Sequence, residues 1–271
     1  MCFISRILMN NFNQLTMIFA EIQQKILNAK PLDFGDIFSN SIELFKKIWL
    51  QGLLMLLIMI AFMIPFIFIA YIPLLIFGLA DATDPGQYDD LAPIALLFII
   101  MAYVLFAFAM NVIAFGLKAG LYRIMRQKDH DSIGSDDYFF FLRRPYLNKT
   151  IYLSLAYFGI SLLATLLCFF PIIYVSVPLS LLVVIYAFNP DISISNLIKA
   201  SFDLGNKKWF IAFGLTLVAG ILAQMVGFLM CGIGIFFTAS FAAIPVYFIY
   251  KEVIGFEDDH GIKTIGENKV I

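Results

Sequence analysis

Four stretches of this chain carry no charged residue: Ile48–Ala80, Leu91–Leu117, Thr150–Pro190 and Trp209–Tyr250. A helix needs about 20 residues to cross a hydrocarbon core of about 30 Å. The first two stretches hold one span each, with some tilt or overhang. The last two are twice too long for one span and too short for three, so each folds as a hairpin of two. Proline removes a helical donor and glycine tolerates unusual backbone angles. Cys168-Phe-Phe-Pro171 and Cys231-Gly-Ile-Gly234 are therefore the expected hairpin turns. The pattern predicts an all-α integral membrane bundle of six transmembrane helices, at about 48–80, 91–117, 150–169, 171–189, 209–230 and 234–251. This membrane domain, 31–255, lies between an N-terminal segment, 1–30, and a tail, 256–271. Pro65 and Pro73 are expected to kink the long first span, or to lay Tyr71–Ala80 along the outer surface; Pro178 and Pro245 are expected to kink spans four and six.

Ahead of two spans the pattern becomes amphipathic. Phe34, Ile37, Phe38, Ile42 and Phe45 follow i, i+3, i+4 spacing, with Asp33 placed as the N-cap. Ile194, Leu197, Ile198 and Phe202 repeat the stripe after Asn189-Pro190-Asp191. Such helices are expected to lie in the cytoplasmic membrane surface with the apolar side down. Ser41-Ile-Glu-Leu-Phe-Lys-Lys-Ile-Trp49 matches Ser201-Phe-Asp-Leu-Gly-Asn-Lys-Lys-Trp209 at Ser, an apolar residue, an acid, Leu, Lys and Trp. This suggests an internal repeat, with recurrence of Trp and Lys at membrane interfaces as the plain alternative. Gly205 replaces Phe45, so the second helix should fray earlier. A third copy would be Asp137–Arg144, interrupted by Pro145, which makes the expected surface helices two or three.

Composition agrees with a membrane protein: 62% of the 271 residues are hydrophobic and 14% charged, against roughly a quarter charged in soluble domains. All 18 Lys and Arg lie in the N-terminal region, 118–149, 199–208 and the tail, whereas Asp81–Asp90 holds four acids and no base. The positive-inside rule then places both termini in the cytoplasm, consistent with an even span count. No basic domain or recognition motif supports nucleic-acid binding. The first apolar segment is cut by Asn10-Asn-Phe-Asn-Gln14, unlike a cleavable signal, and Met1, Met9 or Met17 is the start.

Chemistry is sparse. The spans contain no Asp, Glu, Lys, Arg or His, which argues against a proton relay or ion path. Asn111 and Gln224 are the costliest intramembrane polar residues and are expected to hydrogen-bond other helices. Gly214, Gly220, Ala223 and Gly227 give span five a small-residue face, and Gly116-Leu-Lys-Ala-Gly120 repeats that spacing weakly. Trp49 and Trp209 are expected interface anchors. Lys118, Arg123, Arg126, Arg143 and Arg144, in a loop from Lys118 to Lys149, are candidate contacts for anionic headgroups or a partner, or else set topology alone. His130 with Asp129, Asp131, Asp136 and Asp137 makes a poor metal site, as does Glu257–His260; no catalytic residue, metal or cofactor is expected. Cys168 and Cys231 fall in outward turns, where a bridge is an alternative to simple packing.

The Asp33-Phe-Gly-Asp-Ile-Phe38 entry, the apolar hairpin, Pro190-Asp-Ile-Ser-Ile-Ser195 and the Gly-Ile-Gly turn resemble bacterial six-helix integral membrane proteins related to the membrane domain of glycerophosphoryl diester phosphodiesterases. The resemblance spans about residues 31 to 255 and implies a fold and a cytoplasmic-membrane location. It implies no reaction, because that chemistry belongs to a separate domain. A carotene-oxygenase reading conflicts with the histidine count, since four are needed and the chain has His130 and His260. The function expected is therefore non-catalytic, engaging membrane lipids, a protein partner or a second copy. The alternatives are a transporter or flippase of an apolar or lipid-like solute and, third, a lipid-active enzyme.

Overall fold

A computed structural model describes residues 16–83, 92–132, 134–167, 170–230, 232 and 234–256. It is all-α, and six segments of the described chain are long and apolar enough to cross a membrane. A first helix, α1, covers 16–27. It is followed by α2 (Phe34–Thr83), α3 (Ala92–Asp129), α4 (Leu147–Leu166), α5 (Phe170–Phe188), α6 (Ile194–Lys207), α7 (Trp209–Leu229), α8 (Gly234–Thr238) and α9 (Ile244–Val253).

The first two spans are longer than their uncharged runs. Asp33 caps α2, its Oδ1 accepting the Asp36 amide at 2.9 Å, and the helix then continues for 50 residues through Pro65 and Pro73. At 1.5 Å per residue this is about 75 Å. The expected surface helix and span one are thus a single element. The join at Phe45–Trp49 contains no helix breaker, and Ile48, 0% exposed, is held in the core there. Likewise α3 runs on past Leu117 to Asp129, through what the charges marked as a loop. Leu121, Tyr122, Ile124 and Met125 keep the helical apolar spacing across that segment, and all four are buried.

The α4–α5 turn falls where expected, with Leu167 ending α4 and Pro171 in the first turn of α5. Cys168 and Cys231 lie outside the described residues. Span six is broken rather than kinked: α8 ends at Thr238, a 3-10 turn covers Phe241–Ala243, and Pro245 sits in the first turn of α9. There its missing amide hydrogen costs little.

Burial is concentrated at one end. Leu181 to Ala187 of α5 are all buried, with Tyr122, Phe141, Leu204, Tyr247 and Tyr250 around them. We call this the basic end, because Arg123, Arg126, Lys149, Lys208 and Lys251 surround it. At the other end the α2–α3 hairpin is apolar and exposed: Phe68, Tyr71, Leu97 and Tyr103 are among its uncovered side chains. In water such a surface would associate; in a bilayer it meets lipid at no cost.

Ser193 caps α6 by accepting the Asn196 amide at 3.3 Å. The helix does not lie alone on a surface. It turns back along α5, so that Gly205 meets Pro178 and Asn206 accepts the Tyr174 hydroxyl. Of the stripe expected to face lipid, Leu197 is buried and Ile194, Ile198 and Phe202 are half-buried against protein, while the fully covered face also takes in Ala200, Ser201 and Leu204. A Cβ on Gly205 would stand 2.7 Å from Pro178 Cγ, and this close approach explains the glycine. Early fraying does not occur, and α6 runs on to Lys207. The proposed third amphipathic helix, Asp137–Arg144, forms only a 3-10 turn at Phe140–Leu142. Residues preceding proline avoid the α region, which disfavours a helix running into Pro145.

Candidate anion pocket at the basic end

Arg123, Arg126 and Gln127 on α3, with His130 in the turn directly after it, are spaced i, i+3, i+4 and i+7 and line one pocket together. The chain between α3 and α4 is brought against this helix by two glycines. A Cβ on Gly116 would stand 2.6 Å from Leu142 Cδ2, and one on Gly120 would stand 2.6 Å from the Tyr138 carbonyl oxygen. The weak small-residue motif thus seats a connecting segment instead of a second span. That segment supplies Phe140 and Tyr146 to the pocket, and the C-terminal end of α5 supplies Ala187, Phe188 and Pro190. Lys149 fixes that end by donating to the carbonyls of Pro190 and Ile192. Thr150 Oγ1 lies 2.8 Å from the Tyr186 hydroxyl and donates to the Phe141 carbonyl at 2.8 Å, joining the two walls.

The pocket volume is about 520 Å³. The Arg123 guanidinium lies 3.5 Å from the Phe140 ring centroid, and that ring stacks on Tyr146 at 5.0 Å. Such contacts hold a cation in place while leaving its N–H groups directed outward. Arg126 lies 4.4 Å over Phe256, and the His130 ring packs edge-on against the same phenylalanine at 5.8 Å. Ser132 Oγ donates to the Gln127 carbonyl at 3.1 Å. Gln127 Oε1 is buried and has no hydrogen-bond partner among the described residues. The described lining contains two arginines, a histidine and several neutral donors, and no carboxylate.

The five predicted basic contacts therefore separate. Arg123 and Arg126 share the pocket; Arg143 is exposed and pairs with Asp137 at 3.2 Å, and Arg144 is exposed beside it. Lys118 is half-buried on the packed length of α3, outside the lining. Gln127 and His130 were within reach of a helical reading of 118–130. Phe140, Tyr146, Phe188 and Pro190 were not, because they arrive from other elements.

The nearby acids are engaged in holding helices together. Asp129 accepts from Tyr247 at 2.7 Å and from Lys251 at 2.6 Å, tying α3 to α9. Asp131 pairs with Lys47 at 2.8 Å, and Asp136 accepts from Gln51 at 3.1 Å, both tying α2 to the segment after α3. Tyr138 donates to the Gln51 carbonyl at 3.0 Å. Burial, and then Asp136, push its phenol well above the ordinary range, so it stays a donor. Among the described residues no group of three or more His, Cys, Asp or Glu is placed to hold a metal ion.

The remaining candidates are dispersed. Trp49 is 42% exposed and packs on Phe237 at 6.0 Å. Trp209 donates its indole hydrogen to the Tyr174 carbonyl at 3.0 Å and stacks on Phe213 at 4.9 Å. Asn111 Oδ1 is buried and has no partner among the described residues, so it does not accept the interhelical bond expected of it there. Gln224 is exposed and lines a lateral groove of about 560 Å³ between α5 and α7, with Ser176, Ser180, Thr216 and Gly220. Ala223 and Gly227 serve the hairpin instead: the Ala223 carbonyl accepts Thr238 Oγ1 at 2.8 Å, and a Cβ on Gly227 would stand 2.5 Å from Ile235. No family model matches this chain, and no curated protein or solved structure matches it at a significant level, so no relative carries the resemblance at Asp33–Phe38 and Pro190–Ser195 further.

Proposed function

We propose that this is a non-catalytic multi-pass protein of a bacterial cytoplasmic membrane, with both termini in the cytoplasm, whose basic end engages anionic membrane lipids. The observation that carries the reading is the pocket of Arg123 and Arg126, which opens at the end where the chain collects its bases. Bases beside a membrane attract anionic headgroups by about 1 kcal/mol each, and Arg143, Arg144 and Lys46 are exposed for that purpose. The uncharged outer parts of the spans fit an anchoring role. The repeated pattern at Ser41–Trp49 and Ser201–Trp209 belongs to the same proposal, as two related entries into membrane helices.

The test is a native mass spectrum of the full-length protein after equilibration in micelles holding equal amounts of phosphatidylglycerol and phosphatidylcholine. Preferential retention of the anionic lipid, reduced in a double Arg143→Gln/Arg144→Gln variant, is expected. Equal retention of both lipids would overturn the reading.

A second reading, transport of a lipid-like solute, is favoured by the groove at Gln224, Thr216, Ser176 and Ser180. A neutral polar face open sideways to lipid is a path for a headgroup. Reconstituted vesicles that move fluorescent phospholipid between leaflets, and lose this with Gln224→Leu, would support it; protein-free rates would dismiss it.

A further inference from the structure

We infer that the pocket between α3, the Phe140–Tyr146 segment and the end of α5 is a specific site for a phosphoryl group. The inference rests on the proposed engagement of anionic ligands at the basic end, and it names the class of ligand and the residues that select it. General attraction of a basic surface needs exposed, mobile charges. Arg123 is different: its guanidinium is fixed over Phe140 at 3.5 Å, and no carboxylate among the described residues forms an ion pair with it. Asp137 acts on it only from beyond ion-pair distance, and a cation held rigid on a pocket wall with no ion-pair partner among the described residues is preorganised for an anion.

The shape of the donor set selects among anions. Residues three apart on a helix place their side chains about 5–6 Å apart, so Arg123 and Arg126 flank one position. Gln127 and His130 offer further polar groups beside the arginines, and Tyr146 offers its hydroxyl from the opposite wall. A planar carboxylate is satisfied by one guanidinium fork, whereas donors converging from several directions suit the three acceptor oxygens of a phosphate. Gln127 Oε1, buried and without a partner among the described residues, is an acceptor among donors. It calls for a hydroxyl on the ligand, supplied by a phosphate monoester monoanion or by its alcohol portion. Phosphate alone is much smaller than 520 Å³. The volume is that of a small-molecule site, and Phe140, Ala187, Phe188 and Pro190 form an apolar wall for the organic part of an ester.

Two sources share this chemistry: a phosphomonoester lipid headgroup and a soluble phosphate ester. The full-length protein in a neutral detergent is titrated by calorimetry with short-chain phosphatidic acid, glycerol 3-phosphate and inorganic phosphate. Arg123→Gln is expected to weaken binding at least about tenfold, since it removes a charge-assisted hydrogen bond. Ser132→Tyr adds bulk at the exposed rim, removes no charge, and is expected to weaken binding as well. The double Arg143→Gln/Arg144→Gln variant, changed outside the pocket, should retain the Arg123-dependent part of the binding. Binding of phosphatidic acid alone assigns a lipid headgroup; binding of glycerol 3-phosphate equally well assigns a soluble ester.

Binding of none of the three probes overturns the inference. So does binding that is unchanged in both pocket variants while their thermal unfolding matches wild type. These outcomes are separable from failure of the parent reading. Anionic-lipid preference that survives Arg123→Gln but is lost with Arg143 and Arg144 leaves the surface role standing without the site. Binding of glycerol 3-phosphate by a protein with no lipid preference leaves the site without the surface role.

Discussion

Residues 34–49 and 194–209 follow nearly the same pattern, and the fold uses them differently. Equivalent positions have matching burial: Ile37 and Leu197, Ser41 and Ser201, Leu44 and Leu204 are all buried. Both serines donate to a backbone carbonyl of their own helix, Ser41 to Ile37 and Ser201 to Ile198, each at 2.7 Å. Yet the first segment flows without interruption into a span, and the second stops at Lys208, whose backbone leaves helical geometry at φ −116° and ψ 22° before α7 begins. At the matching position the first segment has Ile48. Isoleucine there buries itself in the core and lets the helix proceed. Lys208, 8% exposed, buries its stem and donates to the carbonyls of Ala29 and Lys30. The comparison teaches that an amphipathic pattern sets which face is buried. Whether the helix then continues depends on the partner found by one residue at its end.

The largest effect is expected from giving the second segment the first segment's residue at Gly205. Gly205→Phe drives a side chain into Pro178 and should cost about 3 kcal/mol by overpacking. Thermal unfolding in detergent indistinguishable from wild type would show that α6 does not pack closely on α5. The matched leucines sharpen the comparison next. Leu44→Ala and Leu204→Ala should each destabilise by about 2.5 kcal/mol, and denaturant midpoints should place them close together. One costly and one silent substitution would mean that equal burial hides unequal roles.

Lys208→Ile makes the second segment resemble the first and leaves the Ala29 and Lys30 carbonyls without their donor. A loss of about 2 kcal/mol is expected, as for hydrogen bonds to a charged group. Hydrogen exchange should quicken in residues 28–33 and not in 44–50; unchanged exchange there would remove Lys208 as the cause of the anchored break. The smallest effects concern the caps. Asp33→Ala and Ser193→Ala should each cost about 1 kcal/mol. Circular dichroism during heating should show the Ser193 change loosening the shorter helix more, since α6 has 14 residues and α2 has 50. The reverse order would argue that the helices are set by packing alone.

How much was legible follows from what each kind of signal encodes. Span number, the break between α4 and α5 before Pro171 and the cap Asp33 depend on local hydrophobicity and backbone chemistry. The extent of α3 was also legible, in the spacing of Leu117, Leu121, Ile124 and Met125, although the charges set between them suggest a loop. Arg123 and Arg126 stand out by their sign and position, without their pocket. Phe140 and Tyr146 reach that pocket because Gly116 and Gly120 admit a connecting segment against α3. Phe188 and Pro190 reach it because α5 ends beside them.

By itself, the sequence determined that this chain is an all-α membrane bundle with its bases gathered at one end. Transfer of apolar surface from water and the cost of unsatisfied backbone in lipid act on each segment separately. The tertiary structure alone decided that α6 folds back on α5 and that the chain breaks at Lys208. It also decided that two arginines and a glutamine of α3, with the histidine directly after it, face a pocket closed by residues from two other elements. Those outcomes depend on contacts between segments far apart in the chain, where a glycine facing a proline or a lysine meeting a free carbonyl settles which packing is stable.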